Sequence, residues 1–122
     1  NQLLFKSGST TIDKRGRDAL QQLAIVLSQQ PDISIMIEGH TDNVPIGSSR
    51  FADNWDLSVL RSTEVARILT VENGIDPKRI IASGRSEFMP VEESNDPESR
   101  AKNRRTEIIL SPKLDELLNL VK

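Results

Sequence analysis

The sequence predicts an α+β fold, an α/β-type two-layer sandwich in which a mixed sheet carries its helices on one face. Three observations predict it. Segments with apolar residues at helical spacing alternate with segments in which apolar and polar residues alternate one by one. Gly, Pro and Asn punctuate most of the junctions between them. The chain has 122 residues, 36% of them apolar, which suits one core without disulfide staples. Residues 1–122 therefore read as a single domain, its core running from about residue 3 to about residue 110.

The elements follow in order. Leu3 to Phe5 is a short apolar start that reads as an edge strand. Residues 13–29 read as a helix, because Gly16, Leu20, Leu23, Ala24 and Leu27 share one face; Thr11 or Asp13 caps it and Pro31 closes it. Ile33, Ile35 and Ile37 alternate with Ser34, Met36 and Glu38, giving a strand with one better-buried face. Residues 54–72 form a second helix, with Asp53 or Asn54 as N-cap and Asn73-Gly74 as its stop. Arg79 to Ser83 is a further strand, ended by Gly84. Residues 98–103 add a short helix and Thr106 to Leu110 the last strand. Leu114, Leu117, Leu118 and Val121 mark a small amphipathic C-terminal helix, about 112–121. Three stretches, 43–53, 73–78 and 89–100, read as loops. The order is β-α-β-α-β-(short α)-β, and strands joined by helices tend to run parallel.

Composition narrows the function. Sixteen Lys+Arg against eighteen Asp+Glu leave a charge of -2, which argues against a general nucleic-acid binder. With three Phe, one Trp and no Tyr, a stacking platform for single strands is not expected. Without cysteine there is no disulfide, thiolate nucleophile or zinc–cysteine site. The single histidine, His40, excludes a multi-histidine metal site within one chain. Neither phosphate-binding glycine motif is present. No apolar run approaches the roughly 20 residues of a membrane span. The chain opens on Asn1, so it reads as an excised fragment whose targeting or anchoring segment lies upstream.

Three features do not fit a bland fold. Arg61 falls near the middle of the apolar arc of the second helix, among Leu57, Leu60, Val65, Ile68 and Leu69. It either snorkels, pairs with Glu64, or reaches into a pocket beside the helix N-terminus to hold a carboxylate; helical spacing alone does not choose. Gly39-His40-Thr41-Asp42 follows the isoleucine strand, where α/β sheets collect ligands, although Asp42 also suits a plain turn. A lone histidine such as His40 is more often structural than catalytic. Asn103-Arg104-Arg105 opens the last strand, where one arginine would face a pocket and its neighbour solvent. The run from Lys102 to Arg105 suits nucleic acid, but Glu92, Glu93, Asp96 and Glu98 oppose it.

Together these residues resemble a known family. Phe5-Lys6-Ser7-Gly8-Ser9, Ile37 to Asp42, Asn54-Trp55-Asp56-Leu57-Ser58-Val59-Leu60-Arg61, Gly74-Ile75, Gly84, Pro90 and Asn103-Arg104-Arg105 are similar, in order and spacing, to the OmpA-like domain of bacterial cell envelopes. That family includes outer-membrane porins, peptidoglycan-associated lipoproteins and flagellar stator proteins. The resemblance covers roughly Leu3 to Leu110. It implies a periplasmic, non-enzymatic domain of an outer- or inner-membrane-anchored protein that binds peptidoglycan non-covalently. It implies that Asp42 and Arg61 grip the diaminopimelate of the stem peptide, with Thr41, Asn54, Leu57, Ser58 and Arg104 completing the pocket and Gly39, His40, Asn103 and Arg105 supporting it. Diaminopimelate ends in an ammonium and a carboxylate on one carbon. An aspartate suits the first, and the planar fork of an arginine suits the second in a way lysine cannot copy. The helix N-terminus favours the same carboxylate. The resemblance thus turns the reading of Arg61 towards the pocket. No metal or organic cofactor is expected. The expected partner is peptidoglycan, without nucleic acid, with membrane contact only through a tether outside residues 1–122; a second copy of the chain is a further candidate.

The long segment from Asp42 to Asn54 looks most like the flagellar stator branch, which makes the wall-binding end of a motor stator the first alternative. Ser62 stands where the family often has alanine, a small change. A peptidoglycan hydrolase using His40, Asp42 and a water has little machinery to work with. A protein-interaction module built on the acidic loop or the C-terminal helix is the remaining reading.

Overall fold

A computed structural model describes residues 8–47 and 50–112. Their elements are α1 (Lys14–Ser28), β1 (Ile33–Gly39), α2 (Asn54–Arg67), β2 (Ile80–Gly84), α3 (Pro97–Asn103) and β3 (Thr106–Pro112). The expected strand Leu3–Phe5 and the expected C-terminal helix from residue 113 onward lie outside the described residues. At residue 112 the expected helix gives way to β3, which runs two residues past its expected end.

β1 is the central strand of the sheet, in the order β2-β1-β3. β2 runs parallel to it, from Ile35 beside Ile80 to Gly39 beside Gly84. β3 runs antiparallel, with Ile33 beside Pro112 and Gly39 beside Thr106. The sheet is therefore mixed, as expected. The parallel pair is joined across α2, whose length spans the return.

Both long helices pack on one face. α1 contributes Leu20, Ala24 and Leu27, β1 contributes Ile35 and Ile37, α2 contributes Val65, and the turn that follows it contributes Ile68 and Leu69. Asp13 caps α1, accepting from the Gly16 amide (2.9 Å). Asp53 caps α2, accepting from the Asp56 amide, while Asp56 reaches back to accept from the Ala52 amide (2.9 Å); two end amides are satisfied reciprocally. The helix predicted over 54–72 is α-helical to Arg67 and widens into one π-type turn over Ile68–Glu72 before Gly74, at φ +74°, ends it. Leu60 corrects the expected arc: it is 37% exposed. The buried arc runs from Leu57 through Arg61 and Ile68 to Ser62, and Leu60 lies about 60° outside it at 100° per residue.

Candidate functional site

Two glycines let α2 settle onto the sheet. A side chain at Gly39 would overlap the Ser58 carbonyl, and one at Gly84 would overlap the Ser58 hydroxyl. With no Cβ at either strand end, the small residues Ser58 and Ser62 of α2 lie directly on them, and the Ser62 hydroxyl donates to the Ser83 carbonyl (2.6 Å). Gly39, expected as a supporting residue, has this role. Ser58 was expected to line the pocket and does not. It is fully buried behind it, donating to the Trp55 carbonyl (2.9 Å) and accepting from the Ser86 amide (3.0 Å). That bond holds Ser86, whose φ of +54° is unusual for a residue with a side chain.

The close fit brings the start of α2 against the segment that leaves β1. Asp42, Val44, Pro45, Asn54, Leu57 and Arg61 line a cavity of about 110 Å³ there. Asp42 opens a turn, since its Oδ1 accepts from the Val44 amide (3.1 Å). It also pairs, since Arg104 Nη1 donates to its Oδ2 (2.8 Å). Arg61 is 1% exposed, so it does not snorkel. Glu64 is engaged by Arg67 (2.6 Å). The Arg61 Nε donates to the Ser9 carbonyl (2.9 Å), and the side chain lines the cavity. Burial lowers its pKa to about 10; Asp42 opposes that shift and Arg104 adds to it. Asn54 is buried too. Its Nδ2 donates to the Val44 carbonyl (3.2 Å) and, at 3.4 Å, to the Asp42 carbonyl. Its Oδ1 has no donor among the described residues. Val44 and Pro45 escaped the sequence reading, because a loop contact carries no periodic signal.

Thr41 lies beside this cavity rather than in its lining, its hydroxyl donating to the Asp42 carbonyl (2.8 Å). It lines a second, wider cavity of about 300 Å³ with Asn43, Glu87, Glu92, Asn95 and Asn103. Asn103 holds the rim of that cavity. Its Oδ1 accepts from the Val91 and Glu92 amides, and its Nδ2 donates to the Glu92 carbonyl (2.8 Å).

The expected division of the two arginines is half right. Arg104 faces Asp42, but Arg105 is not in solvent. Its side chain is 16% exposed and donates to Glu107 (2.8 Å) and to the Met89 carbonyl (2.9 Å). It belongs to a charged cluster around His40. The His40 Nε2 lies 2.9 Å from Glu38 Oε1 and 3.4 Å from Glu107 Oε2. The carboxylates only accept, so Nε2 carries the proton and Nδ1 is a buried acceptor with no partner among the described residues. Burial, and then the charge of Arg105, lower the His40 pKa below its usual 6.5, against the two glutamates. Glu38, His40 and Glu107 offer three ligand atoms close enough for one cation. Arg85 and Arg105 already neutralise the two carboxylates, at 3.4 and 2.8 Å. The cluster therefore ties β1 to β3 and to the loop after β2, and the His40 amide adds a bond to the Arg105 carbonyl (2.9 Å).

A model of the OmpA family matches residues 4–104. Motility protein B of Bacillus subtilis (strain 168) is 37% identical over 111 residues, which cover 91% of this chain and 42% of that protein. This chain thus spans less than half the length of that relative. The periplasmic domain of Helicobacter pylori MotB superposes with a TM-score of 0.82 at 25% identity, over 98% of this chain and 78% of that one. The peptidoglycan-associated lipoprotein from Burkholderia pseudomallei does so with a TM-score of 0.78 at 28% identity, over 89% and 88%.

Proposed function

This chain belongs to the OmpA family, and on that premise we propose that it is a periplasmic, non-enzymatic wall anchor that binds peptidoglycan without a covalent bond. The ligand is the diaminopimelate of the stem peptide. The observation that carries the reading is Arg61, a guanidinium 1% exposed that lines a cavity beside Asp42 at the start of α2. Its planar fork suits a ligand carboxylate, which it can hold with two parallel hydrogen bonds. The ammonium on the same carbon goes to Asp42 and Asn54. Arg104 keeps the Asp42 carboxylate in place. Residues 1–122 are read as a single domain, and no metal or organic cofactor is called on. Each site binds weakly, because the ligand is small and charged groups lose their water. Many stem peptides on one polymer supply avidity.

Calorimetric titration with a diaminopimelate-containing stem peptide, beside its lysine-containing counterpart, tests this. The first is expected to bind and the second to bind much more weakly, and both Asp42→Ala and Arg61→Ala are expected to abolish binding while the protein stays folded. Binding that both substitutions leave intact would remove the site. A narrower reading, the wall-binding end of a motor stator, is favoured by the identity to Motility protein B.

A further inference from the structure

The face of the sheet turned away from α1 and α2 carries an apolar row. Ile35 and Ile37 of β1, with Ile80 and Ile108 beside them, pack into the core under the helices. Neighbouring side chains of a strand point to opposite faces, so Met36 turns the other way. The register sets Ile81 of β2 on one side of Met36 and Ile109 of β3 on the other. The three side chains form a row about 10 Å long, two strand spacings. Ile81 is 61% exposed. Polar pairs bound the row, Ser34 with Ser111 towards one end of the sheet and Glu38 with Glu107 towards the other.

The segment after β3 matches this row. The strand ends at Pro112, beside Ile33. Residues 113–122 lie outside the described residues, but their sequence is informative. At 100° per residue, Leu114, Leu117, Leu118 and Val121 fall within an arc of about 100°, with Asp115, Glu116 and Asn119 outside it. A helix this short is marginal alone in water and forms where its apolar face is buried. It would be about 15 Å long and about 10 Å across. Folded back from Pro112, it passes over Ile109, about 10 Å back along β3. Its breadth equals the length of the row. Tethering to the strand end also gives it an effective concentration of about millimolar, which few free partners match.

We propose that residues 113–122 close the open face of the sheet within their own chain, laying Leu114, Leu117, Leu118 and Val121 on Met36, Ile81 and Ile109. This face is then not a contact surface for a second copy.

Paramagnetic broadening tests this. The chain has no cysteine, so Asn119→Cys, on the polar side of the segment, takes a single nitroxide label. The methyl signals of Met36, Ile81 and Ile109 are expected to lose intensity, while those of Ala24 and Leu27, behind the sheet, keep theirs. In a mixture of nitroxide-labelled chain without isotopes and isotope-labelled chain without nitroxide, no loss is expected. Loss in that mixture would overturn the proposal in favour of a second copy. Row signals retained in both samples would overturn it outright. Adding Leu118→Asp to the labelled chain is expected to restore the row's signals, with the rest of the spectrum reporting that the sheet is intact; a loss that persists would refute the apolar contact.

Discussion

His40 shows how little of a residue's role is visible in its name. Three charged groups act on it, Glu38 from β1, Glu107 from β3 and Arg105 from the strand entry, while Arg85, just after β2, pairs with Glu38. The folded pKa of His40 lies below 6.5 because burial and Arg105 outweigh the glutamates. In the unfolded chain the imidazole takes up a proton first as pH falls. Its contribution to stability is therefore complete above pH 6.5 and is lost as pH falls through the folded pKa. Urea unfolding at pH 8 and pH 5 is expected to show a drop that shrinks in His40→Gln; an equal drop in both proteins would place the acid sensitivity elsewhere. The sequence reading has His40 as a structural, supporting residue, and the structure sets it among charged partners. Its partners were hidden, because Glu107 stands 67 positions away and only strand pairing brings it near. Arg61 was legible for the opposite reason: a cation inside an apolar arc is a local contradiction. The partner that Arg104 finds in Asp42 shares the difficulty of His40, with 62 positions between them.

At the scale of elements, α2 is the piece on which the site depends. It reaches the sheet because Gly39 and Gly84 lack side chains, and its first turn is thereby set against the segment carrying Asp42. Gly39→Ala is expected to cost about 1–3 kcal/mol of stability, since the added methyl meets the Ser58 backbone, which can move only with the helix. Denaturant midpoints check this, and an unchanged midpoint would mean that the contact is slack. Helix and strand positions were legible from apolar spacing, and both N-cap aspartates stood among the expected candidates. The exposed side of Leu60 was not foreseen, because an arc defined by leucines takes in one at its margin. The π-type turn after Arg67 has no residue signature beyond the Asn73-Gly74 stop that follows it. The direction of β3 had no local marker either. It pairs with the free edge of β1 rather than with β2, and a short α3 precedes it where a full crossover helix would return a parallel strand.

For the molecule as a whole, the chain belongs to the OmpA family and spans under half of its Bacillus relative. If the parent is a stator, Asp42→Ala in the full-length protein is expected to abolish swimming while the protein still accumulates at its normal level; undiminished swimming would return the domain to a general envelope role. One architectural fact bears on either role. β1 is bonded along both edges, to β2 and to β3, and Asp42 follows it by three residues. Tension entering the chain at Asp42 runs into β1 along its own axis, while both ladders of hydrogen bonds lie across that axis. They are loaded side by side, as lap joints are, instead of being peeled open one bond at a time. If the proposed ligand is held at that point, a pull on it loads two sets of bonds together.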